Sequence, residues 1–271
     1  PGAPLGLFIA GDPALLWHPM VAVVGSRNPS AAGREHATAF SRAFARAGFG
    51  IASGLALGID ACAHAAALDA DAPTVAVLGC GPDIAYPAAN AALLARIAGH
   101  GAVVSEFPPG TRPLREYFPA RNRIVAALSL GTLVVEAALR SGALITARLA
   151  ADAGREVFAI PGSLHNPMAR GCHRLIREGA ALVESPDEVI ATLKPVAHVL
   201  AHALHGRLHG PTSCAEPPSA APGVDPERDN PDYNRLWEAL GHDPTDMDRL
   251  VARTGLTTAQ VSSMLLLMEL E

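Results

Sequence analysis

Between residues 21 and 190 the chain alternates short apolar runs with segments of helical periodicity. Seven of the runs are rich in Val, Ile and Leu, as buried strands are. They are VAVVG (21–25), FGIASG (49–54), TVAVLG (74–79), AVVSEF (102–107), TLVVEA (132–137), EVFAIPG (156–162) and AALVES (180–185). The alanine-rich segments between them predict helices, including one that ends at Gly48 and one that ends at Gly154. Apolar strands that alternate with helices predict a doubly wound α/β domain with a mostly parallel sheet, covered on both faces.

The pattern changes at Lys194. From there to Pro231 the chain is rich in His, Pro, Ala and Ser, and such a segment buries too little apolar surface to hold one conformation. Residues 232–271 return to helical periodicity in three pieces, which predicts a small all-α domain of the helix-turn-helix or winged-helix type. The predicted organisation is therefore an α/β domain over 1–193, a flexible linker over 194–231 and a second domain over 232–271.

Capping signals support the helices of the C-terminal domain. Asp243 or Thr245 is expected to cap its second helix. Thr257 is expected to cap the third, and Gly255 to form the turn between them. Residues 231–271 contain three basic and seven acidic residues, whereas modules that read a DNA groove depend on a positive face. We therefore expect this domain not to read duplex DNA; its last apolar residues either dock on a protein or only close its core.

The composition limits the class of protein. With 49% hydrophobic and 17% charged residues among 271, the chain is typical of a globular protein. It has no run of about 18 apolar residues and no secretory signal, so we expect no membrane partner and a cytoplasmic location. The net charge of −5 lies in the tail, because residues 1–190 contain 15 basic and 15 acidic residues while 191–271 contain 6 and 11. Binding to nucleic acid would therefore need a local basic cluster.

No disulfide framework, metal site or cofactor is expected. The cysteines are widely spaced without a CxxC pattern, at Cys62, Cys80, Cys172 and Cys214. Four histidines recur at helical spacing, but neither Cys nor carboxylate accompanies them: His198, His202, His205 and His209. No GxGxxG follows the first strand and no acidic residue ends the second, which disfavours NAD.

Glycine-rich and polar segments follow the predicted strands. Because ligands of open α/β sheets bind at the carboxyl ends of the strands, these segments are the candidate site. The loops 25–27 and 53–58 resemble anion cradles, since glycine lets a phosphate approach the backbone and the following helix contributes amide donors. Their candidate residues are Gly25, Ser26, Arg27, Ser53, Gly54 and Gly58.

The strongest basic cluster ends within the stretch FPARNRIVAAL at 118–128. Four arginines fall within twelve residues beside two aromatic rings, at Arg112, Arg115, Arg121, Arg123, Tyr117 and Phe118. Cations that hold phosphates beside rings that stack on bases are typical of a groove for single-stranded nucleic acid. In the alternative interpretation, these arginines pair with Glu106 and Glu136 at neighbouring strand ends, and one of Arg121 and Arg123 could pair in this way while the other faces a ligand.

Asp60 and His64 stand four residues apart on a predicted helix, so they share a face. They could form the acid–base dyad of a hydrolase. The favoured alternative is that Asp60 ties the preceding loop by hydrogen bonds and that His64 orders it, since no second carboxylate or set of metal ligands accompanies them.

Together these segments resemble the DprA/Smf family, the DNA-processing protein A of natural transformation, over about residues 5–190. The motifs are GSR (25–27), SGLALGID (53–60), GCGPDIAYP (79–87), FPARNRIVAALS (118–129), VVEAALRSGALITA (134–147) and PGSLHNPMARGCHRLIREGA (161–180). The resemblance implies an extended Rossmann fold that binds single-stranded DNA without catalysis or cofactor. It also implies a homodimer that protects incoming DNA and loads the RecA recombinase onto it.

The resemblance places the DNA pocket on Ser26, Arg27, Ser53, Gly54 and the segment from Arg115 through Phe118 to Arg121 and Arg123. Members often carry lysine at 112–116, a role that passes here to Arg112 or Arg115. The predicted DNA- and phosphate-binding set is completed by Gly25, Gly58, Asp60, Asn122 and Gly142. The C-terminal piece resembles the family's winged-helix domain but ends at Glu271 before any wing strands, and the N-terminal helical domain of many members is expected to be absent.

Two rival functions remain open. Related Rossmann proteins include LOG-type nucleotide phosphoribohydrolases with a PGGxGTxxE signature, so a nucleotide-binding or nucleotide-hydrolysing enzyme is the alternative. The chain does not reproduce that signature, because Gly131 and Thr132 precede the strand and Glu136 ends it. A pure interaction scaffold is the third possibility, which the abundance of glycine loops at the strand ends disfavours.

Overall fold

The structure is a computed structural model that describes residues 3–208, 232, 235–236 and 247–269. Contacts divide the chain into two units, Pro1–Gly210 and Pro211–Glu271. None of the helices in the described part is long and apolar enough to cross a membrane.

The first unit contains an eight-stranded sheet. Its strands are β1 (Phe8–Gly11), β2 (Met20–Val24), β3 (Gly50–Ser53), β4 (Thr74–Leu78), β5 (Ala102–Ser105), β6 (Gly131–Val134), β7 (Glu156–Ala159) and β8 (Ala181–Leu182). They lie in the order β1-β5-β4-β3-β2-β6-β7-β8, and every pair is parallel except β1 with β5. The seven predicted strands and the doubly wound, mostly parallel sheet are confirmed.

Strand β1 was not predicted. It is a four-residue edge strand, FIAG, whose end residues are exposed, whereas β2 to β6 are buried throughout. Its conformation depends on antiparallel pairing with β5, where Phe8 lies opposite Ser105 and Gly11 opposite Ala102. A partner about 95 residues away in the sequence leaves no local signal.

Helices cover both faces of the sheet. In the first unit they are α1 (Ala31–Arg46), α2 (Ile59–Asp69), α3 (Ala91–His100), α4 (Tyr117–Leu128), α5 (Ala143–Asp152), α6 (Arg170–Arg177) and α7 (Pro186–Leu208). Alternate residues of β2 face opposite sides: Met20 and Ala22 pack in a cluster with residues of α4, α5 and α6, whereas Val21 and Val23 pack with α1, α2 and α7. This alternation makes the parallel strands apolar throughout.

The first part of the predicted linker is helical. Helix α7 continues to Leu208 with Pro195 inside it, so 194–208 are helical. Val189 and Leu193 are buried in the core and fix the helix to the sheet. This anchorage maintains a helix that the composition of the segment alone does not indicate, even with one proline in its interior. The rest of the proposed linker, 209–231, lies outside the described residues, and the domain boundaries stay predictions.

In helix α7, His198 and His202 are exposed. Within the described ranges no group of three His, Cys, Asp or Glu is placed to hold a metal ion. Cys62, Cys80 and Cys172 are free thiols, and Cys214 lies outside the described residues.

The second unit contains α8 (Met247–Thr254) and α9 (Thr258–Glu269). Gly255 has φ +70° in the turn between them, as predicted. Thr257 caps α9 in a reciprocal arrangement, in which Gln260 N donates to Thr257 Oγ1 at 3.4 Å and Thr257 N donates to Gln260 Oε1 at 3.0 Å. The proposed caps of the preceding helix, Asp243 and Thr245, lie outside the described residues.

Candidate nucleic-acid interface

A cleft of about 730 Å³ opens at the carboxyl ends of the parallel strands. Ten of the fourteen predicted site residues line it: Gly25, Ser26, Arg27, Gly54, Asp60, Arg115, Phe118, Arg121, Asn122 and Gly142. They come from the loops after β2, β3, β5 and β6 and from the first turns of α2 and α4. The fold therefore assembles, within one cleft, residues that are up to 117 positions apart in the sequence. The binding roles assigned to them stay predictions.

The loop after β2 is held against the loop after β6. Ser26 N donates to Glu136 O at 2.7 Å. A Cβ on Gly25 would lie 2.8 Å from that same oxygen and 2.7 Å from Ile59, so only glycine fits this approach. The Ser26 hydroxyl accepts a hydrogen bond from Asn28 N at 3.1 Å, which turns the chain so that the exposed Arg27 stands at the cleft.

Arg121 forms the floor of the cleft. Only 5% of it is exposed, and its Nη1 donates to Val77 O. A Cβ on Gly54 would lie 2.0 Å from this Nη1, so the guanidinium occupies the space that a side chain would need. Burial lowers the pKa of Arg121, and the nearby Asp60 charge partly offsets this. Arg121 is thus a buried structural cation and does not extend towards solvent as the predicted phosphate fork would.

Asp60 ties the loop after β3, as the favoured interpretation expected. Its Oδ2 accepts hydrogen bonds from Gly54 N at 3.2 Å and Ala56 N at 3.3 Å. Burial raises the pKa of Asp60, whereas the Arg121 charge lowers it. His64 is fully buried and its Nδ1 bonds Thr74 Oγ1 at 2.7 Å. The two side chains have different partners, so the dyad interpretation is wrong.

Arg123 is paired with a carboxylate, as the alternative interpretation of the basic cluster expected. Its guanidinium forms an ion pair with Glu106 while both side chains are about one fifth exposed, and it does not line the cleft. The predicted pairing of an arginine with Glu136 is wrong. Glu136 instead accepts hydrogen bonds from the amide of Ser30 at 2.9 Å, from the Ser30 hydroxyl and from Asn166 Nδ2 at 3.2 Å.

Three further predicted residues lie outside the cleft lining. Ser53 is fully buried and its hydroxyl donates to Val23 O at 2.6 Å. Gly58 has φ +82°, and a Cβ there would lie 2.4 Å from Ser26 O, so this glycine makes the turn into α2. Arg112 is exposed but does not line the cleft. The first two shape the loops, and the buried Ser53 side chain offers no surface to a ligand.

Sequence reasoning missed Tyr86 and Arg140. Both are exposed and line the cleft. The Tyr86 ring lies 5.1 Å from the Phe118 ring at an interplanar angle of 33°. Each residue stands in a strand-end segment that the sequence marked as candidate, so an exposed ring or cation in those segments was the available signal. Nothing local showed that these two side chains reach the same cleft.

The charge of the cleft favours an anion. Of the described residues that line it, four are basic and one, Asp60, is acidic. Asp60 and Arg121 are both buried and lie close enough for each to affect the pKa of the other, which leaves three exposed arginines, Arg27, Arg115 and Arg140. Clustered charge of one sign in a cleft attracts and concentrates ligands of the opposite sign.

The fold and this site define a Rossmann-like protein whose strand ends carry a positively charged cleft with an aromatic wall. Residues 1–194 match the family described as DNA recombination-mediator protein A, and residues 215–271 match the DprA winged helix domain. The chain therefore belongs to the DprA/Smf family of DNA-processing proteins.

Relatives and solved structures agree with this assignment. Protein Smf of Escherichia coli is 41% identical over 271 residues, which are the whole of this chain and 68% of that protein. The crystal structure of DNA processing protein A from Streptococcus pneumoniae is similar with a TM-score of 0.68 and 48% identity, over 70% of this chain and 67% of that one. The structure of DNA processing protein A from Helicobacter pylori is similar with a TM-score of 0.66 and 33% identity, over 72% of this chain and 89% of that one. That structure concerns the single-stranded DNA binding mode of the Helicobacter pylori protein.

Proposed function

We propose that the cleft binds single-stranded DNA without catalysis, and that the protein protects incoming DNA and loads the RecA recombinase onto it during natural transformation. The observation that carries the DNA-binding proposal is the placement of three exposed arginines and a Tyr86–Phe118 ring pair around one cleft. Family membership supports the other elements of the proposal, namely the recombinase, the homodimer and the cytoplasmic location.

The arrangement suits a single strand because its two kinds of group bind different parts of the polymer. Guanidinium groups bind phosphates through charge-assisted hydrogen bonds. Aromatic rings stack on any base, since every base has a π-face, and this gives affinity with little sequence preference. The faces of the bases are accessible in a single strand, whereas in a duplex the bases are paired and stacked on one another.

The alternative of a LOG-like nucleotide enzyme is not favoured. A hydrolase needs a general base that can reach its substrate. Asp60, the one acidic residue among the described residues lining the cleft, is buried and accepts two backbone hydrogen bonds. Glu136 accepts its hydrogen bonds from Ser30 and Asn166, and the burial of His64 lowers its pKa to about 3.

The test is the salt dependence of binding to fluorescent oligothymidine. On single strands log K falls with log salt concentration with a slope of about −0.7 for each phosphate contact. We expect Arg27→Ala to flatten the slope by about 0.7. The matched control is Arg42→Ala, which removes the same charge from an exposed position of α1. Parental protein that binds mononucleotides as tightly as oligothymidine, or an Arg27→Ala slope equal to the parental one, would contradict the proposal.

A further inference from the structure

Arg140 is a cation of the cleft with no assigned role. It lies in the loop between β6 and α5, is exposed and lines the cleft. No ion pair joins Arg140 to any residue in the described part of the chain. By contrast, Arg123 on α4 is neutralised by Glu106. An exposed arginine that faces a cleft without an acidic partner can pair with an anion from solution.

Arg140 and Arg27 stand on adjacent loops. Strands β2 and β6 are hydrogen-bonded neighbours with Val24 opposite Val134. The pairing continues past the strands, because Val135 N donates to Val24 O at 3.1 Å and Ser26 N donates to Glu136 O at 2.7 Å. Both arginines therefore emerge at the same edge, from loops joined at the base. Neighbouring strands are about 4.8 Å apart, so the two loops that carry these arginines begin side by side, and both arginines line the cleft.

In the described part of the chain, neither of these two arginines is ion-paired with a carboxylate. The side chain of Glu136 accepts from Ser30 and Asn166. Asp60 bonds the amides of Gly54 and Ala56 and interacts with Arg121. Two like charges held on adjacent loops repel one another, and an anion held between them relieves that repulsion.

The aromatic pair is carried by other elements than these two arginines. Tyr86 comes from the segment after β4 and Phe118 from the first turn of α4, whereas Arg27 and Arg140 come from the loops after β2 and β6. The cleft therefore offers two kinds of contact from different elements, namely rings and exposed cations.

We propose that Arg140 acts with Arg27 to bind the phosphate backbone from the loops after β2 and β6, while a base of the same strand stacks on the Tyr86–Phe118 ring pair. This proposal rests on the proposed function and deepens it, because it assigns ionic and stacking contacts to different residues. The contribution of the two arginines to binding should then depend on salt, and the contribution of the ring pair should not.

The experiment measures oligothymidine affinity across salt concentrations for variants of the full chain. Arg140→Ala should flatten the salt slope by about 0.7 and weaken binding on the order of tenfold at low salt, as expected for one charge-assisted hydrogen-bonded contact. Arg140→Lys should retain the slope, because the charge remains. Tyr86→Leu should weaken binding severalfold and leave the slope unchanged, because stacking releases no counterions. Arg42→Ala should match the parent.

The outcomes separate this inference from the proposed function. If Arg27→Ala flattens the slope and Arg140→Ala does not, the proposed function stands and the role of Arg140 is overturned. If Tyr86→Leu alters the slope as much as Arg140→Ala does, the assignment of ionic contacts to the arginines and of stacking to the ring pair is overturned. If the parental protein does not bind oligothymidine, both proposals fail. Arg140→Gln provides a second uncharged variant, and melting curves check that each variant is folded.

Discussion

Three arginines of one short segment occupy three environments. Arg115 is exposed in the cleft, Arg121 is buried beneath it and Arg123 is paired with Glu106. The last two are two positions apart on α4, which is a rotation of about 200°, so they cannot share a face. Asn122 lies between them, lines the cleft and donates to Gly142 O at 3.4 Å. The rotation of the helix thus decides which side chain faces a ligand.

His64 makes stability depend on pH. Its Nδ1 donates to Thr74 Oγ1, because the Thr74 hydroxyl donates its own hydrogen to Ile51 O. Burial, with a smaller contribution from the Arg121 charge, lowers the pKa of His64 from 6.5 to about 3. The unfolded chain therefore takes up a proton below about pH 6.5, whereas the folded protein does so only near pH 3. Stability is lost as pH falls between these values.

We expect this proton uptake to cost about 2 kcal/mol of unfolding free energy at pH 5 relative to pH 7.5. His64→Asn removes the titrating group. Its free energy of unfolding should therefore fall by about 2 kcal/mol less than that of the parent between pH 7.5 and pH 5. Urea unfolding at the two pH values measures the difference. His36→Asn, at an exposed position of α1, is the control and should behave as the parent does. Equal losses in His64→Asn and the parent would show that His64 does not determine the pH dependence.

At the scale of elements, the helices that follow the strands begin close to the cleft. The loops between these strands and helices contain glycines, and the reason for the glycine differs from one loop to another. Gly25 and Gly54 are required by the protein itself, since a Cβ there would meet Glu136 O or the Arg121 guanidinium. Gly142 precedes α5 and has φ −62°, and nothing lies within 4 Å of its Cβ position. The folded chain does not require glycine at this position, and we expect that it lets a ligand approach the backbone closely.

Gly142→Leu should therefore fold normally and bind single-stranded DNA poorly. We expect an unchanged or slightly raised melting temperature, because replacing glycine at a compatible conformation restricts the unfolded chain. Affinity for oligothymidine should fall by about tenfold or more if the strand approaches this backbone, which corresponds to the loss of at least one hydrogen-bonded contact. Gly99→Leu is the control: its Cβ position is also open, and it does not line the cleft. Unchanged affinity in Gly142→Leu would remove Gly142 from the site.

At the scale of the whole molecule, the two units differ in charge and in how they form a core. In the second unit the described core residues are Leu236, Leu250, Leu256 and Val261, with Met264 and Leu265 packed against them. Helix α9 contains neither Arg nor Lys, and its described polar residues Thr258, Gln260 and Ser262 are exposed. A helix that reads a major groove uses cations and amides on base edges and phosphates.

We therefore expect deletion of residues 232–271 to leave the affinities for duplex and single-stranded DNA unchanged within about twofold. The deletion removes more negative than positive charge, and the cleft belongs to the first unit. Binding of labelled duplex and oligothymidine to the full and shortened chains measures this. A large loss of duplex affinity with intact single-strand affinity would contradict it and would make the second unit a duplex reader.

The sequence by itself determined the seven parallel strands, their alternation with helices, the Gly255 turn and the Thr257 cap, because apolar periodicity, φ preference and capping act within a few residues. It also indicated which loops meet, since strand ends of a parallel sheet share an edge. Only the tertiary structure decided that β1 pairs at the edge, that α7 extends past Lys194, and that Arg121 is buried while Arg140 and Tyr86 reach the cleft. These outcomes depend on partners distant in the sequence and on the rotation of each helix against the sheet, neither of which leaves a local pattern.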